Sequence, residues 1–318
     1  MCADFSKIES AGQAGENTLN AGRLRGRGAI EVLVPELGEP WLIRLAAVSK
    51  RVALVPCSGI DDAIARGKSA EVSLGFATRA FFARARHVRW AHVFSTGVDG
   101  VLEEVPRHVT LTSARGAYAP QLAEHALALL LALTRQLHVA EVDEARLTTV
   151  EGQRLLIIGM GGAGRALAKK AKGLGMKVEA GVRDRRALRT QLGKADAVAL
   201  CVPLTSRTRG LIGEAELSAM KPTARLINVS RGAVVDTDAL TAALREGRLG
   251  GAGLDVTEPE PLPLTHPLRA MHNVVVTPHT AGTSTGAMEA TVGLALENLR
   301  RYVAGRVLLG VVDRKRGY

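Results

Sequence analysis

Residues Arg154 to Gly164 read RLLIIGMGGAG. A short apolar run, Leu155-Leu156-Ile157-Ile158, stops at Gly159-Met160-Gly161-Gly162-Ala163-Gly164, and a helical segment over Arg165 to Leu174 follows. Strand, glycine turn and helix in that order is the setting in which a G-x-G-x-x-G spacing points to a dinucleotide. Gly159 permits the tight turn. Gly161 removes a side chain where a pyrophosphate approaches the backbone, and Gly164 lets the helix pack close to the strand. The helix start then presents free N–H groups and the positive end of its dipole to phosphate oxygens. Taken alone, the stretch also fits a glycine-rich turn that binds nothing.

On both sides of this turn, strands and helices alternate. Upstream, strands are predicted at Ile30–Val34, Val52–Pro56, Glu71–Phe76, Val88–Phe94 and Val109–Thr112, with helices at Trp41–Val48, Ile60–Ala65 and Thr78–Ala85. Downstream, strands are predicted at Val178–Val182, Asp196–Val202, Ala224–Val229, Gly251–Val256 and Asn273–Thr277. The downstream helices are Leu211–Met220, Thr237–Glu246 with Asp236 as N-cap, and Thr285–Val303. Arg183 to Asp196 reads only as a short basic segment. Such alternation predicts an α/β fold with parallel sheets. Between the two arrays Pro120 opens a long helix, Gln121–His138, whose middle, Ala126 to Leu133, is apolar on nearly every face. Such a helix must be covered all round. The expectation is burial between domains or, preferably, in a homodimer interface.

The composition narrows the function. In 318 residues, 47% are hydrophobic but only 3% aromatic, so Ala, Leu and Val must fill the cores. No run of about 20 apolar residues exists, so no membrane helix is expected. The N-terminus lacks a basic-then-apolar signal pattern. Cys2, Cys57 and Cys201 share no metal or disulfide spacing, which predicts a reduced cytoplasmic setting and no metal. The net charge of +11 raises nucleic acid as a partner, but the arginines are scattered and not interleaved with aromatics, so none is expected. Residues 1–28 are polar and glycine-rich, and are expected to be a disordered extension.

Several downstream strands end in polar residues: Pro203-Leu204-Thr205, Ser230-Arg231, Asp255 and His279. In a doubly wound sheet the ligand lies beyond the carboxyl ends of the strands, so these residues should converge beside the cofactor. Arg231, next to Gly232, offers a guanidinium that grips a carboxylate with two parallel hydrogen bonds. Position 279, preceded by Pro278, holds a histidine, the residue type suited to exchanging a proton near neutral pH. A carboxylate beside it would fix its tautomer, and by spacing alone both Glu258 and Glu260 qualify. At the end of the strand after the glycine turn, an NAD site places an acid about 20 residues on. Val182 occupies that place and Arg183 follows, which favours NADP over NAD, although Asp184 is within reach of a ribose.

The pieces IIGMGGAG, CVPLTSRTRGLI, ARLINVSRGAVVDTDAL, GAGLDVTEPEPLP and VVVTPHTAG, with STGVD upstream and ENLRRYVAG downstream, resemble the D-isomer-specific 2-hydroxyacid dehydrogenase family over about residues 30 to 318. The resemblance implies a Rossmann cofactor domain, residues 118–284, inserted in a flavodoxin-like substrate domain, residues 1–117 and 285–318, both doubly wound. It implies hydride transfer between NAD(P)H and a small 2-keto acid, glyoxylate or hydroxypyruvate being candidates. Arg231, Glu260 and His279 would form the catalytic set, with Glu260 chosen over Glu258 because the family's glutamate precedes Pro-Leu. The backbone of Thr96, Gly97 and Val98 would cradle the substrate carboxylate. Gly159, Gly161, Gly162, Ala163, Gly164 and Arg183 would hold the cofactor, with Pro203, Ser230 and Asp255 flanking its nicotinamide. Two departures stand out: the segment between Arg183 and Asp196 is short for the family, and the connection from His138 to Gly152 is short and lacks the usual tryptophan. The alternative is a non-catalytic dinucleotide-sensing protein on the same fold.

Overall fold

The computed structural model describes residues 28–318, so the extension predicted for residues 1–28 lies, apart from Gly28, outside the described residues. The chain divides into two compact units, Met1–Ala114 with Val292–Lys315, and Arg115–Thr291 with Arg316–Tyr318.

The first unit begins with β1 (Ile30–Pro35), α1 (Glu39–Ala46), β2 (Val52–Cys57), α2 (Ile60–Arg66), β3 (Val72–Leu74), α3 (Arg79–Arg84), β4 (Trp90–Val93) and β5 (Thr110–Ser113). Its five strands lie in the order β2-β1-β3-β4-β5, and every pairing is parallel. A parallel neighbour needs a crossover, which α1, α2 and α3 supply between the first four strands and the 94–109 segment supplies between β4 and β5. Thr78 caps α3 by accepting from the Phe81 amide, which explains why that helix starts where it does.

The second unit runs through α4 (Ala119–Arg135), β6 (Arg154–Ile158), α5 (Gly162–Gly173), β7 (Lys177–Ala180), α6 (Arg185–Leu192), β8 (Ala197–Leu200), α7 (Glu214–Ser218), β9 (Arg225–Asn228), α8 (Thr237–Arg245), β10 (Gly251–Leu254) and β11 (Val274–Val276). Its six parallel strands are ordered β11-β10-β9-β8-β6-β7. Alternate residues of each central strand serve opposite faces. Leu155, Ile157, Ala197 and Ala199 join the core under α4 and α5, whereas Leu156, Ile158, Val198 and Leu200 join the core shared with α6, α7 and α8. A sheet buried on both faces therefore reads as unbroken apolar runs.

Two expectations change here. The basic segment after Arg183 is a helix, α6. Asp184 caps it by accepting from the Ala187 amide, and Leu188 and Leu192, four residues apart, point into the core. Its Arg185 and Arg189 both reach the buried Glu216 carboxylate, at 3.4 and 3.2 Å. The second concerns α4. Ala126, Leu127, Leu129, Leu130 and Leu133 are buried within their own unit, against α5 and the sheet. Glycines of β10 admit the helix closely: a Cβ at Gly253 would lie 2.8 Å from Leu129 Cβ. The remaining exposed residues include Glu124, paired with Lys170, and Ala128. The buried side chains of α4 are thus covered by the unit's own sheet and α5.

The last helix, α9 (Thr285–Val303), is followed by a tail whose Val311 bridges antiparallel to Thr112 of β5. Arg314 fixes the tail by donating to the carbonyls of Val105 and Pro106 at 2.9 and 2.8 Å. Among the described residues no helix is long and apolar enough to cross a membrane.

One buried histidine makes the first unit sensitive to acid. The Trp90 indole N–H donates to Thr112 Oγ1 at 2.8 Å, and His92 Nδ1 shares that oxygen at 2.8 Å. His92 is fully buried and its Nε2 has no partner. Burial lowers its pKa from 6.5 to about 4. The unfolded chain therefore takes up a proton in the interval where the folded one does not, so stability is full above 6.5 and is lost as pH falls toward 4. Both tryptophans, Trp41 and Trp90, lie in this unit, so urea unfolding followed by their fluorescence reads it alone. Between pH 7.5 and pH 5 the wild type should lose about 2 kcal/mol more than His92→Leu. Equal losses in both proteins would remove His92 from this role.

Candidate active site

The glycine turn leaves β6 and enters α5. Gly159 has φ +104°, and a Cβ there would lie 2.5 Å from the Cys201 carbonyl oxygen. Only glycine satisfies both conditions. Gly164 is equally constrained, since its Cβ would sit 2.0 Å from the Gly159 oxygen. Gly161 differs: it is the N-cap of α5, and a Cβ there meets nothing within 4 Å. Its missing side chain is not a packing requirement but leaves open space at the amide end of a helix. That is the shape a pyrophosphate needs, and the turn with Gly162 and Ala163 would hold one. The order of strands places the switch point between β6 and β8, where Pro203 follows the strand end. Cys201 beside it is no nucleophile, because burial pushes its thiol up to about 12.

At the end of β7, Val182 is 41% exposed. Its amide donates to Gln191 Oε1, and Asp184 is occupied as the cap of α6, its Oδ1 accepting from Ala187 at 2.8 Å. Arg183 and Arg186 are exposed, and among the described residues neither has an ion-pair partner.

At the end of β9 the chain turns sharply. The buried Asn228 side chain accepts from the Ser230 amide (3.0 Å) and hydroxyl (2.7 Å) and donates to the Arg231 carbonyl (2.9 Å). The Arg231 guanidinium donates to the Ser230 carbonyl at 2.8 Å. A Cβ at Gly232 would lie 1.9 Å from the Thr257 carbonyl, so the Arg231 corner is pressed against the loop that carries Glu260. Within that loop Thr257 Oγ1 donates to the Pro259 carbonyl, and Thr237 Oγ1 donates to that of Glu258.

The loop after β11 is built on Asp255, which is 2% exposed. Its Oδ1 accepts from the Thr280 amide at 2.8 Å and from Thr277 Oγ1 at 2.7 Å, and its Oδ2 accepts from the Ala281 amide at 2.9 Å. The Asp255 carbonyl takes the amide of His279 at 2.9 Å. These bonds hold His279 at φ +54°, a left-handed conformation that costs a non-glycine residue about 1 kcal/mol or more. His279 Nδ1 meets Glu260 Oε1 at 2.5 Å. The carboxylate therefore accepts a hydrogen bond from Nδ1–H and leaves Nε2, which has no protein partner among the described residues, for exchange. Glu258 is exposed and makes no such contact. The structure thus brings Glu260 to His279 and gives Asp255 a structural task beyond its expected place beside a nicotinamide. Asn228, Thr277 and His125, which holds Thr277 at 2.9 Å, escaped the sequence reading. Their signal is a polar residue inside an apolar run, as in LINV.

In the first unit, the segment after β4 places Thr96 in solvent and buries Val98, while Ser95 Oγ donates to the Gly97 carbonyl at 2.7 Å.

The model of the D-isomer specific 2-hydroxyacid dehydrogenase NAD binding domain matches residues 126–281. A glyoxylate reductase of Thermococcus litoralis is 37% identical over 251 residues, covering 70% of this chain and 76% of the relative. The chain belongs to the D-isomer specific 2-hydroxyacid dehydrogenase family. Two solved members have similar folds. The protein from Aeromonas salmonicida superposes with a TM-score of 0.78 at 28% identity, covering 90% of this chain and 99% of that one. The enzyme of Xanthobacter autotrophicus, in complex with NADPH and MES, gives 0.77 at 28% identity, covering 92% and 100%. This family member is an NAD(P)-dependent dehydrogenase, and its cofactor is a nicotinamide dinucleotide.

The glycine geometry separates binding from folding. Gly161→Ala should keep the wild-type melting temperature while weakening cofactor binding about tenfold, read by fluorescence titration. Gly164→Ala should lower stability by about 1–3 kcal/mol, because its Cβ meets backbone. A Gly161→Ala protein that binds cofactor normally would contradict this account of the turn.

Proposed function

We propose that the protein reduces a small 2-keto acid to the corresponding D-2-hydroxy acid with NADPH, His279 acting as the proton donor. The observation that carries this reading is the His279 Nδ1–Glu260 Oε1 contact at 2.5 Å, at the carboxyl edge of the sheet that carries the glycine turn. A bound nicotinamide dinucleotide supplies the hydride to the 2-carbon. His279 Nε2 gives its proton to the keto oxygen as negative charge develops there, and takes it back in the reverse direction. Glu260 keeps the imidazole in the Nε2-exchanging orientation and offsets its charge. Arg231 grips the substrate carboxylate and polarises the adjacent carbonyl. By the family resemblance the backbone of Thr96, Gly97 and Val98 would contribute to carboxylate binding, and Pro203, Ser230 and Asp255 would flank a bound nicotinamide. Glyoxylate is the favoured substrate, in keeping with the names of the curated relatives, with hydroxypyruvate next.

NADP is favoured over NAD on three grounds. No acid ends β7, Asp184 is committed to capping α6, and Arg183 and Arg186 are left for a 2′-phosphate. The NADPH complex of the Xanthobacter autotrophicus relative agrees with this choice. The reading also includes a homodimer, as the family suggests, which sedimentation would register as twice the chain mass.

His279→Gln should bind cofactor within about twofold of wild type yet lose at least about a thousandfold in kcat for glyoxylate. Retained turnover in that variant would overturn the mechanism. Arg183→Ala should lower kcat/KM for NADPH about tenfold and leave that for NADH within about twofold. A wild-type enzyme that prefers NADH would reverse the cofactor assignment.

A further inference from the structure

Outside the proposed catalytic set, a titratable side chain on α4 reaches the loop that carries His279. His125 projects from α4, and its side chain is 22% exposed. Its Nε2 lies 2.9 Å from Thr277 Oγ1 and 3.5 Å from Asp255 Oδ1. The direction of these bonds follows from the partners. An ionised Asp255 has no proton to give, so the Thr277 hydroxyl donates to Asp255 Oδ1 at 2.7 Å. That hydroxyl then has only lone pairs to offer, and His125 Nε2 must carry the hydrogen and donate. The chain of donors runs from His125 to Thr277 to Asp255. From Asp255 the bonds fan out to the amides of Thr280 and Ala281 through its carboxylate and to that of His279 through its carbonyl.

We infer that His125 is a positioning residue for proton transfer, which holds the 277–281 loop through the Thr277 hydroxyl and so sets where the His279 imidazole sits. The inference rests on His279 being the proton donor. Two features make the loop dependent on such a brace. His279 occupies a left-handed backbone conformation that only its surroundings sustain. Its imidazole is half exposed, so side-chain packing does not fix it and the loop backbone must. The brace comes from a helix that is itself seated on the sheet at Gly253 and Gly251, which gives it a rigid footing. Small displacements of a proton donor are costly in rate, since transfer requires hydrogen-bond distance.

The test uses the full-length enzyme with glyoxylate and NADPH. His125→Leu removes the N–H donor, and His125→Gln keeps one at the same reach. We expect His125→Leu to lower kcat about tenfold with cofactor Kd within about twofold, and His125→Gln to recover to within about threefold of wild type. Thr277→Val should match His125→Leu, and the double variant should be no slower than the slower single one, because both break one chain. Wild-type kcat in His125→Leu, a Gln variant as slow as the Leu variant, or a loss that falls entirely on cofactor binding would overturn the inference. Should His125→Leu fail to fold, Thr277→Val decides alone, and wild-type kcat there would overturn it as well. His279→Gln is measured alongside. If it retains turnover, the proton-donor reading itself fails. If it is inactive while His125→Leu and Thr277→Val are normal, only the positioning role fails.

Discussion

Asp255 is 2% exposed, and a carboxylate so placed is tolerable only when donors meet both of its oxygens. The structure meets them with two backbone amides and a hydroxyl, all from the loop that follows β11. The requirement is mutual. The amides of Thr280 and Ala281 leave the sheet at this point and would otherwise be unpaired, and the His279 amide is turned to the Asp255 carbonyl rather than to solvent. One buried charge therefore dictates the path of five residues. The imidazole that emerges from that path, facing Glu260, follows from this constraint and not from packing of the ring itself.

The parallel sheet determines what this loop can face. With all six strands of the second unit running the same way, every strand carries its polar termination to the same edge. The glycine turn after β6, Pro203 after β8, Ser230-Arg231 after β9, Asp255 after β10 and His279 after β11 are thus neighbours in order along one edge, although up to 120 residues separate them in sequence. Contact is enforced at two of these junctions by the absence of a side chain. Gly159 admits the Cys201 carbonyl, and Gly232 admits that of Thr257. Any larger residue at either position would separate elements whose residues are proposed to act on one small substrate.

Much of this was legible in the sequence, because parallel strands buried on both faces write themselves as apolar runs and glycines mark the close approaches. The predicted strands tend to overrun at their carboxyl ends: Asp196–Val202 is β8 over Ala197–Leu200, and Gly251–Val256 is β10 over Gly251–Leu254. The chain stays buried or half-buried past the last ladder bond because it is still entering the edge of the unit. The helix α6 was hidden because arginine dominates its exposed face, and only Leu188 and Leu192 carry its period. The apolarity of α4 is ambiguous for a related reason. Apolarity all round specifies coverage, but it does not say by what, and here the covering surfaces are the unit's own sheet and α5. The pairing of His125 with Thr277 was invisible because it lies in a hydrogen bond across 152 residues.

The surplus of positive charge takes on more meaning once its members are followed individually. Arg185 and Arg189 are consumed by Glu216, and Arg314 by the carbonyls of the 102–109 loop. These arginines serve the fold, and a nucleic-acid partner need not be invoked for them. Arg183 and Arg186, one residue before and two residues after the cap Asp184, are differently placed, because the acid that would neutralise them is tied to the first turn of α6. A net charge of +11 attracts any anion from a distance and does so less as salt rises. It cannot by itself choose between two dinucleotides that differ by one phosphate. In the proposed NADP reading that choice falls to Arg183 and Arg186 at the end of β7, with Asp184 Oδ1 engaged in capping α6.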